Sequence, residues 1–351
     1  MAGKASLDAA KAAKNDEFYT QWSDIESEMQ AYLEYDPDVF RGKVVLLPCD
    51  DPDRSNFTKY FAERFGQLGL KKLISTSCAA DGGNGKVFVL EGENEPQWGY
   101  LVGDGDFRSD EVTALRDEAD MVITNPPFSL FREFMAWLTE GDVEFAVIGN
   151  MNAVTYKEIF PSIKDNKMWP GTAFNKTMEF AVPADYYAAK DAELDKYGNR
   201  LVKVPAISWF TNIEHGYRHE FLELMTMEDN LAYGSKKVRS AGYPNYDNYN
   251  AIEVPFTLGI PSDYEGVMGV PISFLGKYNP EQFEILGFMA STLVTDYNFG
   301  YPYIDGKKKY ARILIRHRNP ERKEPQLLSR SRGGRSSLRC KREFSHVEVR
   351  G

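Results

Sequence analysis

The sequence predicts an α/β protein built on a doubly wound, mixed sheet of seven strands, and two observations predict it. From about residue 43, short β-branched and apolar runs alternate with segments whose apolar residues recur at helical spacing. The last two strand segments are separated by the polar stretch 191–200, which lacks a helical crossover pattern, so they are expected to pair antiparallel. Parallel βα units followed by an antiparallel end define a doubly wound mixed sheet.

Seven apolar segments supply the predicted strands. They lie at residues 43–49, 72–77, 98–102, 119–124, 143–149, 178–182 and 201–210. Residues 86–90 are expected to form a hairpin with 98–102, which is taken as the third core strand. Ser55 precedes aromatic residues at helical spacing, and Ser109 precedes an acidic helix start, so both serines are expected to cap helices.

Length and charge narrow the classes of protein to which this chain can belong. With 351 residues, of which 42% are hydrophobic, the chain can form two domains or one large domain with an appendage. The net charge of −10 argues against nucleic-acid binding by bulk charge and leaves room for a local basic cleft. Residues 319–351 hold nine Lys and Arg residues and four Glu residues, which predicts a basic, disordered tail.

Cysteine usage and hydropathy exclude further classes. The three cysteines, Cys49, Cys78 and Cys340, have no CxxC spacing, so neither a disulfide framework nor a cysteine zinc site is expected. No apolar run approaches the ~20 residues that span a bilayer. The N-terminal residues lack the apolar core of a signal peptide. We therefore expect a cytoplasmic protein that does not contact a membrane.

The tetrapeptide Asn125-Pro126-Pro127-Phe128 is informative because it follows the predicted strand 119–124, and ligands of open α/β sheets bind at the carboxyl ends of strands. The Asn125 side-chain oxygen and the Pro126 carbonyl can accept both hydrogens of an amino group on a heteroaromatic ring, which localises the nitrogen lone pair as charge develops. The prolines fix the backbone, and Phe128 can stack on the ring. Orientation and electrostatics suffice here, so no titrating base is needed. The alternative is a generic turn.

This tetrapeptide resembles the catalytic motif of amino-group methyltransferases that use S-adenosylmethionine. Further segments resemble the EcoRI-type adenine-specific DNA methyltransferase family, and the similarity covers about residues 14–318. The segments are 16–21, 48–57, 105–111, 125–131, 149–158 and 278–284. The resemblance implies a Rossmann-like methyltransferase fold with a seven-stranded mixed sheet and an irregular C-terminal target-recognition module.

The same resemblance implies transfer of a methyl group from S-adenosylmethionine to N6 of an adenine that is flipped out of a specific double-stranded DNA sequence. It implies a monomer without a metal, encoded by a bacterium or a phage, with a cognate restriction endonuclease as a partner. Two alternatives remain open. One is a methyltransferase of the same class that acts on RNA or on protein glutamine, and the other is a catalytically inactive DNA-binding decoy.

Cofactor contacts implied by the resemblance come from four places. They are Phe18, Tyr19 and Thr20; Cys49, Asp50 and Asp51; Asp106 and Phe107; and Asn125. Asp50 or Asp51 would pair with the methionine ammonium. Asp106 and Phe107 would hold the adenine amino group and ring. The turn at Cys49 lacks the usual glycine, and the second strand ends without the usual ribose-binding acid, so no ribose ligand is assigned. Core packing for the aromatic pair and ordinary polar turns for the acids are the alternatives.

DNA contacts are expected from two sets of residues. They are Asn150 and Asn152 after the fifth strand, and Lys236, Lys237, Arg239, Tyr246 and Asn248 further along the chain. Cations would contact phosphates, and amides would contact base edges. The first two asparagines can equally cap a helix, and the basic segments can equally be solvated loops. His215 and His219 lack an evident third ligand, so an exposed helix face is favoured over a metal site.

These predictions divide the chain into four parts. They are a helical lead-in with the cofactor-contacting motif at 1–40, a methyltransferase domain at 41–214, a target-recognition module at 215–318 and the basic tail at 319–351.

Overall fold

The computed structural model describes residues 19–49, 51–79, 83–182, 193–194 and 200–321. The predictions for Phe18, for Asp50 and for the tail beyond residue 321 lie outside the described residues.

Within these ranges, a mixed sheet of eleven strands forms the centre of the molecule. Its strands are β1 Tyr19–Thr20, β2 Val44–Leu47, β3 Lys72–Thr76, β4 Lys86–Glu91, β5 Gln97–Tyr100, β6 Met121–Thr124, β7 Glu144–Asn150, β8 Trp169–Pro170, β9 Lys176–Val182, β10 Glu193–Leu194 and β11 Arg200–Thr211. The strand order is β1-β9-β11-β7-β6-β2-β3-β4-β5, while β8 and β10 also pair with β11. Strands β2, β3, β6 and β7 are mutually parallel, and the other pairings are antiparallel.

The predicted count of seven strands differs from the eleven observed, because four short or peripheral strands, β1, β5, β8 and β10, join the seven central ones. The predicted antiparallel pairing of the two late strands is confirmed by β9 and β11. The predicted hairpin is confirmed as well. The choice of third core strand is wrong: β4 pairs with β3, whereas β5 pairs only with β4 at the edge. Burial explains why β4 rather than β5 is the core strand, since Phe88 of β4 is 3% exposed and every β5 residue is exposed.

Helices lie on both faces of this sheet and in the C-terminal region. They are α1 Trp22–Tyr35, α2 Asn56–Glu63, α3 Phe65–Leu68, α4 Asp110–Glu118, α5 Phe131–Glu140, α6 Phe160–Lys164, α7 Met227–Tyr233 and α8 Lys236–Ala241. Ser55 accepts hydrogen bonds from two backbone N–H groups of α2, and Ser109 accepts one from α4, so both predicted caps are confirmed. Side chains alternate along β2: Leu46 belongs to the core under α5, while Val45 and Leu47 belong to the core under α1 and α2.

The region predicted to be irregular, 215–318, contains regular structure instead. A four-stranded sheet of order β12-β13-β17-β14 and a separate hairpin, β15 with β16, lie there. The bounds are β12 Ile252–Glu253, β13 Met268–Pro271, β14 Phe283–Met289, β15 Tyr303–Ile304, β16 Lys307–Lys308 and β17 Arg312–His317. The small sheet shares a core with the large one, and Phe160 meets Phe288 edge to face at 4.5 Å between ring centroids. In the part of the chain that the structure describes, no helix is long and apolar enough to cross a membrane.

Candidate active site

The turn Asn125-Pro126-Pro127-Phe128 follows β6 directly, at the carboxyl edge of the parallel strands. The Thr124 hydroxyl donates a hydrogen bond to the Pro48 carbonyl, which brings the ends of β6 and β2 together. Asn125 is 6% exposed, whereas Phe128 is half-buried, with its ring 6.4 Å from that of Phe180 in an edge-to-face arrangement. The turn therefore presents a fixed amide and a braced aromatic ring at the edge where α/β proteins bind ligands.

Cys49, in the neighbouring turn after β2, has a backbone φ of 79°. This is the left-handed region, which glycine adopts at no steric cost and other residues adopt rarely. The sequence therefore lacks the usual glycine, but the backbone follows the path that a glycine would allow. The missing glycine is thus no argument against a ligand-binding turn at this position.

Asp51 already holds an ammonium group, that of Lys86 on β4. The Lys86 Nζ atom lies 2.9 Å from Asp51 Oδ2 and 2.5 Å from Asp53 Oδ2. Hydrogen bonds to Asp53 and Asp51 raise the pKa of Lys86. Sequence reasoning missed this lysine, because nothing in a strand of alternating residues marks one side chain as the partner of a distant turn. A ligand ammonium at Asp51 must share the carboxylate with Lys86 or displace it.

Tyr19 and Thr20 form β1, which pairs with β9 at the edge of the sheet. The Thr20 carbonyl accepts a hydrogen bond of 2.8 Å from the side chain of Asn56, the first residue of α2. The Thr20 hydroxyl is buried and finds no hydrogen-bond partner within the described ranges. The Thr76 hydroxyl at the end of β3 is in the same state. Buried hydroxyls of this kind are expected to have a partner, so both are candidates for contact with a bound polar molecule.

The loop before α4 lies against the end of β3. Gly105 has a φ of 84°, and a side chain there would collide with the Ser77 carbonyl. Asp106 accepts hydrogen bonds from Arg108, with the Nε atom at 2.9 Å, and this contact lowers the pKa of Asp106. Phe107 is 4% exposed and packs against Phe134 with ring centroids 4.9 Å apart. The ring therefore packs in the core under α5, and its contact with the cofactor adenine stays a prediction.

Asn150 ends β7 and caps the short helical turn Met151–Thr155, since its side-chain oxygen accepts a 2.9 Å hydrogen bond from the Asn152 backbone. The capping alternative is confirmed for Asn150. The Asn152 residue is exposed. The Arg132 guanidinium lies 4.1 Å from the centroid of the Tyr156 ring, so α5 and the turn after β7 meet beside the candidate site.

The predicted DNA-contacting residues of the C-terminal half fall into two groups. Lys236, Lys237 and Arg239 are exposed on α8, where only Val238 faces inward. Tyr246, by contrast, is 5% exposed, so its side chain presents little surface to DNA, and its role as a DNA contact stays a prediction. Its hydroxyl donates a hydrogen bond to Glu253, which in turn pairs with Arg312. Burial raises the pKa of Tyr246 strongly.

Asn248 is exposed, but its amide serves the fold: it donates to the Tyr301 carbonyl at 3.1 Å and accepts from the Tyr303 backbone at 3.4 Å. Base readout by this side chain would require breaking both bonds. The two histidines also differ from the exposed helix face expected. His215 is 2% exposed, and His219 lies on a short helical turn between Glu214 and Glu281. Within the described residues, no cluster of three or more His, Cys, Asp or Glu side chains suits a metal ion.

A doubly wound sheet with an Asn-Pro-Pro-Phe turn after its fourth central strand defines an amino-group methyltransferase. Comparison with known proteins narrows this class. Residues 6–318 match the family described as "Adenine-specific methyltransferase EcoRI". The chain therefore belongs to the EcoRI adenine-specific methyltransferase family, and it is an enzyme that methylates adenine in DNA.

Three curated relatives agree with this assignment over nearly their full length. The chain is 43% identical to Type II methyltransferase M.EcoRI of Escherichia coli over 333 residues, which cover 89% of this chain and 96% of that protein. It is 39% identical to Type II methyltransferase M.MgeORF184P of Mycoplasma genitalium, covering 88% and 97%. It is 36% identical to Type II methyltransferase M.MpnI of Mycoplasma pneumoniae, again covering 88% and 97%.

Proposed function

We propose that the protein transfers the methyl group of S-adenosylmethionine to N6 of an adenine flipped out of a specific sequence in duplex DNA, acting as a monomer. The observation that carries this proposal is the position of Asn125-Pro126-Pro127-Phe128 at the carboxyl end of β6, tied to the end of β2 through Thr124 and Pro48. A restriction endonuclease that cuts the same sequence is the proposed partner enzyme.

The turn residues orient the target amino group. The Asn125 side-chain oxygen and the Pro126 carbonyl accept the two N6 hydrogens, so the nitrogen lone pair points away from the ring plane and towards the methyl donor. Phe128, braced by Phe180, stacks on the face of the flipped base. The methyl group would leave its sulfonium as the N–C bond forms, with the sulfur keeping the electron pair of the broken S–C bond. One N6 proton, acidic on the positively charged nitrogen, would then pass to solvent water, so no strong base is needed.

The residues at the ends of β2 and β3 fit a polar, charged cofactor. When bound, S-adenosylmethionine supplies an electrophilic methyl group. The half-buried carboxylate of Asp51 and the Asp106 carboxylate offer acceptors, while the buried hydroxyls of Thr20 and Thr76 offer unused hydrogen-bonding capacity. Cys49 opens the turn for close approach of a ligand to the backbone. We assign the Thr76 hydroxyl to the ribose of the cofactor, for which the sequence analysis names no ligand.

The DNA surface in this proposal combines the carboxyl edge with the C-terminal region. Lys236, Lys237 and Arg239 are exposed cations suited to phosphates, and Asn152 is exposed beside the candidate site. We assign residues 41–214 to the methyltransferase domain and 215–318 to target recognition, the two joined by a common core.

Mapping of modified adenines tests the proposal. The protein is expressed in a host without DNA methyltransferases, and the genome is read by long-read sequencing that detects N6-methyladenine. Methylated adenines within one short sequence are the expected result. Genomic DNA without the modification, together with calorimetric binding of S-adenosylmethionine, would favour the decoy. Transfer of labelled methyl groups to RNA or to protein in preference to duplex DNA would favour the other substrates.

A further inference from the structure

The loop between β14 and β15 carries two adjacent, exposed apolar side chains, which we call the loop tip. Leu293 is 63% exposed and Val294 is 66% exposed. Two adjacent aliphatic side chains at a loop tip gain nothing from water, since apolar surface is stabilised by about 25 cal/mol for each Å² removed from it. Exposed apolar groups that lie together often mark a binding surface.

A buried asparagine holds this tip in place. Asn298 is 3% exposed, and its side chain donates to the Ser291 hydroxyl at 2.7 Å and to the Leu293 carbonyl. Its side-chain oxygen accepts from the Ala290 backbone at 3.3 Å, and its carbonyl accepts from the Thr295 backbone at 2.9 Å. The loop is thus ordered before any partner arrives, so inserting it into a partner costs little conformational entropy.

The tip lies beside the candidate active site. The Tyr297 hydroxyl donates to the Lys157 carbonyl at 3.1 Å, which joins the loop to the segment that follows β7. A cleft of about 200 Å³ separates the two, lined by Leu293, Tyr156 and Arg132 among others. Arg132 belongs to α5, only four residues beyond Phe128. The loop therefore reaches the same edge of the sheet as the Asn-Pro-Pro-Phe turn.

Cations flank the apolar tip. On one side Lys157 is exposed and pairs only weakly with Glu158 at 3.6 Å. On the other side Val294 lies next to Gly300, and the following Tyr301 ring carries the Lys308 ammonium 3.1 Å from its centroid. An apolar tip between cations matches duplex DNA, in which phosphates border the stacked bases.

We propose that Leu293 and Val294 form a wedge that enters the base stack where the target adenine leaves it. This inference rests on the proposed function and names residues that assist its base-flipping step. Unstacking a base costs a few kcal/mol, and apolar side chains inserted between base steps offset this cost in other DNA-binding proteins. The partner is the DNA duplex itself, which the wedge contacts at the space that the flipped adenine leaves in the base stack.

The test compares the variant Leu293→Ala/Val294→Ala with the wild type on two duplexes that contain the mapped site. One duplex is fully paired, and the other has a mismatched base opposite the target adenine, which lowers the flipping cost. For the variant we expect kcat/KM on paired DNA to fall by about tenfold or more, and to recover on mismatched DNA to within about threefold of the wild type. With 2-aminopurine as the target base, the fluorescence rise on binding should shrink in parallel.

Two further variants sharpen the result. Leu293→Ile/Val294→Ile keeps the apolar bulk and should retain wild-type activity. Tyr35→Ala is the control, because Tyr35 is 48% exposed at the carboxyl end of α1, outside the residues assigned to DNA binding. An active wild type with an unaffected Ala variant, or with equal losses on both duplexes, would overturn the wedge alone. A wild type that methylates no duplex would overturn the proposed function with it.

Discussion

Asn125 is the residue on which the proposed chemistry depends. Its replacement by Ala removes one of the two acceptors for the target amino group. The two prolines should still hold the backbone of the turn. We expect kcat to fall by about 10²–10³-fold, the loss that follows removal of one preorganised polar group at a reacting centre. The affinity for S-adenosylmethionine, measured by calorimetry, should change by less than about threefold. Ser129→Ala, at the exposed residue just after the turn, is the control and should keep full activity. Unchanged turnover in Asn125→Ala would refute the assigned role.

Cys49 offers a test of backbone strain that is independent of catalysis. A left-handed backbone costs a residue with a side chain about 1–2 kcal/mol, while glycine loses roughly 0.5–1 kcal/mol of chain entropy. Cys49→Gly should therefore raise the free energy of unfolding by up to about 1 kcal/mol, and Cys49→Val should lower it by more than about 1 kcal/mol, as measured by urea denaturation. The same pair of changes at Cys78, which has no positive φ, should not show the gain for glycine. A Cys49→Gly variant less stable than the wild type would contradict the strain.

Single residues were predictable from the sequence where their role follows from the immediate neighbours. Asn125 follows an apolar strand and precedes a helix, so its place at a strand end could be predicted. Phe107 and Tyr246 could not be placed, because their burial depends on Phe134 and on the Glu253–Arg312 pair, which come from elsewhere in the chain. An aromatic residue beside basic or acidic neighbours looks the same in sequence whether it faces solvent or the core.

At the scale of elements, the cap of α2 sets the geometry of the turn before it. Ser55 is fully buried and accepts from the backbone of Phe57 at 3.1 Å and of Thr58 at 3.4 Å. Ser55→Ala should lower the free energy of unfolding by about 1–2 kcal/mol, since water cannot reach the freed N–H groups. Ser235→Ala removes the exposed cap of α8 and should cost less, about 0.5 kcal/mol. Thermal unfolding of both variants provides the comparison, and equal losses would contradict the role of burial.

Helices and strands marked by a local sequence pattern could be predicted. Those whose position depends on which of two similar segments packs better could not. Ser55 and Ser109 mark the starts of their helices, because each caps its helix through hydrogen bonds to residues two or three positions along the chain. The central position of β4 in place of β5 was not predicted. Apolar and polar residues alternate in both segments, and only their packing shows which one is central. The small C-terminal sheet was also missed, because its pairings join β13 to β17 across more than 40 residues, and no local pattern encodes such a pairing.

At the scale of the whole molecule, the net charge of −10 constrains how DNA is bound. An acidic protein repels DNA at long range, so affinity must come from local groups of cations. The exposed cations on α8 and those near the loop tip meet this requirement. His219 does not add to them, because it lies between the acidic side chains of Glu214 and Glu281. The shared core between the two sheets then matters for function, because it packs α5, which follows the Asn-Pro-Pro-Phe turn, together with β14, which precedes the loop tip.

Stability of the whole molecule should depend on pH through its buried histidines. Burial lowers the pKa of His317 below 6.5, and the ring donates to the Pro261 carbonyl at 2.9 Å. A base whose pKa is lowered by folding stabilises the fold fully above pH 6.5, and this contribution is lost as pH falls through the folded-state pKa. Thermal unfolding from about pH 7.5 to pH 5 should therefore show a smaller loss of Tm for His317→Gln than for the wild type. Phe40→Leu, which trims a buried ring packed on Phe61 in the core under α1 and α2, should lower Tm without changing its pH dependence. Parallel curves for wild type and His317→Gln would show that this histidine does not couple protonation to folding.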